Sequence, residues 1–185
     1  MDEKNKVLLE LARKSIESVF DENIKIDKDT LLNKFTFLKE IEASFVTLTK
    51  DGQLRGCIGS LVAHRILLED IIHNSKAAAF NDPRFTPLDK DEYKQIKVEI
   101  SLLTKPELLK YSDFKDLEEK LIPNKHGVIL ELDGKRATFL PQVWEQLPNF
   151  NDFMVHLCRK AGLNPSSLSA LPKIFIYEAI KIKED

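Results

Sequence analysis

The sequence has little of what marks secreted, membrane-spanning or disulfide-stabilised proteins. It contains two cysteines in 185 residues, too few for a disulfide framework. No apolar run approaches the roughly 18 residues that a helix needs to span a bilayer. The N-terminal segment, Met1-Asp2-Glu3-Lys4, opens an amphipathic pattern and not the apolar core of a secretory signal. We therefore expect a cytoplasmic protein without a membrane segment.

The charge and the absent motifs narrow the function classes further. The formal net charge of −2 provides no general attraction to nucleic acid phosphates, so nucleic acid binding would need a local basic patch. The sequence has no GxxxxGK[ST] phosphate loop, no GxGxxG fingerprint and no GxSxG nucleophile elbow. Its four histidines and two cysteines show no close ligand spacing. The sequence thus indicates no intrinsic metal and no familiar cofactor.

Hydrophobic periodicity predicts an α+β fold. Four segments have the spacing of helices, namely residues 4–20, 66–79, 113–121 and 151–161. Six segments have the pattern of strands, namely residues 45–48, 54–58, 96–103, 128–132, 136–140 and 174–182. Turn residues at Asp51-Gly52 and Asp133-Gly134 join four of these strands into two hairpins. Such runs favour largely antiparallel sheets with flanking helices.

The most informative stretch is Leu54-Arg55-Gly56-Cys57-Ile58-Gly59-Ser60-Leu61, on or just after the second strand of a predicted hairpin. Glycine at positions 56 and 59 permits positive φ, which lets backbone N–H groups converge on an anion or a substrate oxygen. Arg55 would place a fixed positive charge beside Cys57. Charge and amides together would raise the fraction of nucleophilic thiolate at Cys57. The alternative is a small core thiol beside turn glycines.

Asp82-Pro83-Arg84-Phe85 forms a second cluster of candidates. Proline fixes the turn after the predicted helix, so Asp82 and Arg84 can be held together where that helix ends. One interpretation makes them ligands for a small anionic or polar substrate. The other makes them a locally hydrogen-bonded turn, with Phe85 in the core.

Three further candidates lie on predicted strands or at their edges. Glu99 lies on the polar face of a strand, where partial burial beside a cation would make it an acid or a base. His126 precedes a strand and is a candidate base for Cys57, as is His64, which is near Cys57 in sequence. Arg136 opens a hairpin strand, from which it would pair with Glu99.

Several of these segments resemble the blocks of a known family, the AMMECR domain proteins, whose bacterial and archaeal members are called AmmeMemoRadiSam system protein A. The blocks are Leu54 to Gly59, Ala78 to Phe85, Val98 to Leu103, His126 to Val128, Ala137 to Trp144 and Leu157 to Leu163. The resemblance implies one AMMECR-type domain over residues 1–185, with two lobes and a cleft.

The resemblance also implies a setting for the candidate site. By gene association, family members look like partners of a Memo-like protein and a radical S-adenosylmethionine protein. That association implies a role in a chemical modification pathway, with the cleft around residues 54–61 as the place of action. The alternative is a non-catalytic adaptor that presents the same surface to those partners or to RNA.

Overall fold

A computed structural model describes residues 2–184. Strands and helices are interspersed along the chain, and the strands form two four-stranded sheets. The α+β class with antiparallel sheets, predicted from the sequence, is confirmed. The chain divides into two units. The first runs through Leu103 and includes the C-terminal segment from Ile180, and the second is Thr104–Ala179. Within the described residues, no helix is both long and apolar enough to cross a membrane.

The first unit packs helices on one face of its sheet. Its helices are α1 (Glu3–Phe20), α2 (Lys28–Lys34), α3 (Leu67–Phe80) and α4 (Lys90–Tyr93), with a 3-10 helix at Thr36–Lys39. Its strands are β1 (Ala43–Lys50), β2 (Gln53–Gly59), β3 (Ile96–Leu103) and β8 (Ala179–Lys183). The strand order β2-β1-β3-β8 places β2 and β8 at the edges.

Alternation along β1 determines which face the helices cover. Val46 and Leu48 are fully buried in one apolar cluster with residues of α1 and α3. Because successive strand residues point to opposite faces, Thr47 points away from those helices. Thr47 is opposite Glu99 of β3, so the helix-free face carries polar side chains.

The second unit has an aromatic core. Its strands are β4 (Glu107–Leu109), β5 (Gly127–Leu132), β6 (Lys135–Phe139) and β7 (Lys173–Tyr177), in the order β4-β7-β5-β6. Its helices are α5 (Phe114–Lys120) and α6 (Phe150–Lys160), with 3-10 helices at Pro141–Glu145 and Pro165–Ala170. The rings of Trp144 and Phe153 stack with centroids 3.7 Å apart and planes 4° from parallel.

The structure corrects the predicted C-terminal strand and adds short elements. The segment predicted as one strand over residues 174–182 is two strands, β7 and β8, which belong to different sheets. Residues 174–180 are apolar apart from Glu178, so the sequence pattern does not reveal the break. Apolar periodicity also did not predict α2, which begins where Asp27 accepts a hydrogen bond from the Thr30 N–H.

Candidate functional site

Cys57 lies on β2, at the edge of the first sheet, as expected for the second strand of a hairpin. It is directly opposite Thr47 of β1, so the two side chains share a face. The Thr47 hydroxyl donates a hydrogen bond to Cys57 Sγ over 3.3 Å. Cys57 is only partly buried. Thr47 therefore provides a donor to a sulfur at the margin of the fold, not within its core.

Gly56 and Gly59 serve close packing, which corrects the prediction of a turn with positive φ. Both lie within β2, and neither has positive φ. A Cβ on Gly56 would overlap the backbone carbonyl oxygen of Ala78 on α3, and a Cβ on Gly59 would overlap the ring of Phe45. These glycines thus let a helix and an aromatic ring approach opposite faces of β2.

Asp82 and Arg84 close the outer edge of β2 at Cys57. The Asp82 carboxylate is 4% exposed and accepts hydrogen bonds from the Cys57 N–H at 2.9 Å and from Arg84 Nη2 at 2.7 Å and Nε at 3.0 Å. Arg84 Nη2 also donates to the Cys57 carbonyl oxygen over 3.4 Å. The Arg84 hydrogen bonds are the main reason that the pKa of Asp82 lies well below its usual range. The Cys57 N–H is therefore occupied by Asp82, which corrects the prediction that the amides of this segment face an anion or a substrate.

Arg55 is 8% exposed and forms an ion pair with Glu92. Arg55 Nε and Nη2 donate to the two Glu92 oxygens over 2.7 and 2.8 Å, and Nη2 also donates to the Thr86 carbonyl. The hydrogen bond to Glu92 raises the pKa of Arg55 and lowers that of Glu92. Arg55 Nη1 is buried without a hydrogen-bond acceptor, and the guanidinium carbon lies 5.6 Å from the Phe85 ring centroid. The cation hydrogen-bonded to the Cys57 backbone is consequently Arg84, not Arg55.

Glu99 shares the helix-free face with Cys57. Cys57, Thr47 and Glu99 are consecutive cross-strand neighbours on β2, β1 and β3. Lys183 Nζ lies 3.0 Å from Glu99 Oε2, so the expected cationic partner is Lys183 and not Arg136. The register thus places a thiol, a hydroxyl and a carboxylate in one row, with neighbouring strands about 4.8 Å apart.

His126 and Arg136 belong to the second unit, where each has local partners. His126 is buried, and its Nδ1 accepts a hydrogen bond from the Ile122 N–H at 3.1 Å. Burial lowers the pKa of His126, which favours the neutral imidazole. Arg136 Nε lies 3.1 Å from Glu131 Oε1 on the neighbouring strand. Their roles as a base and a substrate ligand stay predictions, as does the cleft.

The second thiol provides an internal contrast. Cys158 lies on α6 with no exposed surface, and its Sγ donates to the Asn164 carbonyl oxygen over 3.2 Å. Burial raises the pKa of this thiol. Cys158 therefore belongs to the buried core.

Other polar groups add neither a base nor a metal site. His64 is exposed, with Nδ1 at 2.9 Å from the Val62 carbonyl oxygen. Over residues 2–184, no imidazole hydrogen-bonds the Cys57 sulfur. Within the same range, no three His, Cys, Asp or Glu side chains are grouped so that they would hold a metal ion.

Comparison with known proteins agrees with the fold and with these segments. The AMMECR1 family model matches residues 9–182, and the chain belongs to this family. A protein of Methanosarcina mazei is 35% identical over 183 residues, which cover 98% of this chain and 92% of that protein. A protein of Saccharolobus islandicus is 38% identical over 175 residues, which cover 89% of this chain and 74% of that protein.

A solved structure extends the likeness to the whole fold. The crystal structure of an uncharacterised protein from Pyrococcus horikoshii matches with a TM-score of 0.79 and 31% identity. The match covers all of this chain and 93% of that one. The chain is thus an AMMECR1-family protein whose architecture is shared with that archaeal relative.

Proposed function

We propose that this AMMECR1-family protein is a modification factor that acts through the thiol of Cys57. The observation that carries the proposal is the pair of contacts at the edge of β2. Thr47 donates a hydrogen bond to Cys57 Sγ, and the guanidinium of Arg84 lies against the Cys57 carbonyl. A hydroxyl donor stabilises the negative charge on sulfur during attack, and the partial exposure of Cys57 at a sheet edge lets a substrate reach it.

The proposed chemistry is a nucleophilic displacement. The Cys57 thiol releases its proton to water, and the thiolate forms a bond to an electrophilic carbon of the substrate. The leaving group departs with the electron pair of its broken bond, so the step needs no oxidant or reductant. The Glu99 carboxylate, on the same face and ion-paired with Lys183, serves as the acceptor for a proton that the substrate loses.

The proposal includes the setting that the family resemblance implies. In it, the protein works in the cytoplasm with a Memo-like protein and a radical S-adenosylmethionine protein as partners. The partly buried sulfur at a sheet edge supports such a role, because a partner or substrate can approach an edge strand without unfolding the core.

A non-catalytic adaptor is the second candidate, and a different observation favours it. Three large apolar side chains in and after β2 are exposed, namely Leu54, Leu61 and Val62. Exposed apolar residues beside a rigid strand suit protein docking. An RNA-binding form of this adaptor would show binding that falls steeply with added salt.

Replacing Cys57 with serine separates the two functions. When the Cys57→Ser variant is expressed in cells that lack the gene, we expect it not to restore the wild-type metabolite profile, because serine is a far weaker nucleophile. Cys158→Ser, the matched control, should restore the wild-type profile. Pulldown of the partners should be equal for both variants. Restoration by Cys57→Ser would overturn the nucleophile role, and lost partner recovery would favour the adaptor.

A further inference from the structure

We infer that the outer edge of the Arg84 guanidinium binds an oxyanion of the substrate that Cys57 attacks. This oxyanion is a carboxylate or a phosphate group. The inference rests on the proposed function of Cys57 and adds the chemical class of its substrate. It depends on how Arg84 is held, on the charges around it, and on its position relative to Cys57.

Arg84 is an exposed cation that is already fixed in place. Its side chain is 55% exposed, yet Nε and Nη2 are bonded to the buried Asp82 carboxylate. The guanidinium carbon also lies 5.5 Å from the centroid of the Phe85 ring. These bonds use the guanidinium edge formed by Nε and Nη2, and Nη1 lies on the other edge. A ligand at Nη1 therefore meets a donor that has lost much of its conformational freedom before binding.

The charges around the Phe85 ring are balanced, which leaves the exposed edge of Arg84 as the place that attracts an anion. Arg55 and Arg84 both approach the Phe85 ring, at 5.6 and 5.5 Å from its centroid. Asp82 balances one guanidinium and Glu92 the other, whereas Lys50 adds a third cation 3.5 Å from Glu92. Asp89 is a third carboxylate near Arg55, so three cations accompany three carboxylates, and the attraction for an added anion is local to the exposed Nη1 edge of Arg84.

The position of Arg84 connects the ligand to the thiol. Arg84 Nη2 donates to the carbonyl oxygen of Cys57 itself, so the guanidinium and the sulfur belong to neighbouring groups of one strand edge. Arginine holds carboxylates and phosphates through planar hydrogen bonds. An oxyanion on Arg84 would thereby hold the rest of the substrate beside Cys57.

Two alkylating reagents that differ in charge test this inference on the native protein. We expect the ratio of iodoacetate to iodoacetamide labelling at Cys57 to exceed that of the unfolded protein by about fivefold to tenfold, as for one charge-assisted hydrogen bond. Arg84→Gln should abolish the preference, whereas Arg159→Gln, which removes an exposed arginine charge on α6, should keep it. A native ratio equal to the unfolded one would overturn the inference.

Competition provides a measurement that needs no variant at Arg84. Inorganic phosphate and acetate, added separately at constant ionic strength, should slow labelling of Cys57 by iodoacetate in a saturable way. The more effective of the two identifies the group that the site prefers. Absence of saturable competition by either would contradict an oxyanion site.

A thiol-free variant separates this inference from the proposed function. In Cys57→Ser, we expect the preferred anion to raise the melting temperature saturably, since ligand binding stabilises the folded state. That rise should disappear in Cys57→Ser/Arg84→Gln. If Cys57 is inert but the rise is present, the nucleophile role fails and the oxyanion site stands. A reactive Cys57 without any rise would overturn the oxyanion site alone.

Discussion

The two units have similar layers of sheet and helix but bury different kinds of side chain. Each covers a four-stranded sheet with helices, yet the first buries Arg55, Asp70 and Asp82, whereas the second buries a stacked Trp144–Phe153 pair. Among the described residues of the second unit, His126 is the one ionisable side chain that is buried besides Tyr177 and Cys158. Buried charges are costly unless they are paired and hydrogen-bonded. Their concentration in the first unit is therefore typical of an organised site, while the second unit is chiefly an apolar core.

Alanine substitution of one glycine in each unit should give the largest contrast. Gly56→Ala should destabilise the first unit by about 3 kcal/mol or more, because the new methyl group meets the backbone of α3 and not a movable side chain. Gly134→Ala should cost only about 1 kcal/mol, since its surroundings are open and only its positive φ is strained. Urea unfolding of both variants measures the difference. Equal costs would contradict the packing role of Gly56.

Acid should destabilise the two units at different pH values, and this effect should be smaller than that of the glycine substitutions. Asp82 and Glu92 have lowered pKa values, so their stabilisation is complete above the ordinary carboxylate range of about 4 and is lost as pH falls through their depressed values. His126 also has a lowered pKa, so its contribution is complete above about 6.5 and declines below that pH. Protection from hydrogen exchange should therefore weaken first in β5 and only at lower pH in β2.

Two variants sharpen the acid comparison. Asp82→Asn should lower stability at pH 7 by about 2 kcal/mol, the size of a lost hydrogen bond to a charged group, and flatten the dependence below pH 4. His126→Asn keeps an acceptor near the Ile122 N–H and should flatten the dependence just below about pH 6.5. If β2 lost protection before β5 as pH fell, the assignment of these groups to the two windows would be wrong.

Periodicity predicted most of the longer elements of both units but not the register that builds the site. Counting outward from the two-residue turn at Asp51-Gly52 pairs Cys57 with Val46, on the helix-covered face. A bulge between Leu48 and Thr49 shifts the pairing by one residue, so Cys57 is opposite Thr47 on the other face. No sequence pattern marks this bulge. The row of Cys57, Thr47 and Glu99 was consequently beyond prediction.

The sequence predicted which types of polar contact the site forms, but not which residues form them together. The Asp82-Pro83-Arg84 segment does form the locally bonded turn that its residue types favour, yet the same turn also binds the Cys57 backbone. Nothing in the spacing indicates Glu92 as the partner of Arg55, since that contact joins β2 to the short helix α4. Tertiary contacts of this kind depend on how loops cross a sheet edge, which local propensity does not encode.

The rate of alkylation of Cys57 by iodoacetamide near neutral pH, mapped by peptide mass spectrometry, tests the central claim most directly. Cys158 in the same molecule is the comparison. The Thr47 hydrogen bond and the partial exposure of Cys57 predict fast labelling at Cys57 and slow labelling at Cys158, which burial protects. A Cys57 that reacts no faster than Cys158 would contradict the nucleophile role and leave the edge of β2 as a structural element.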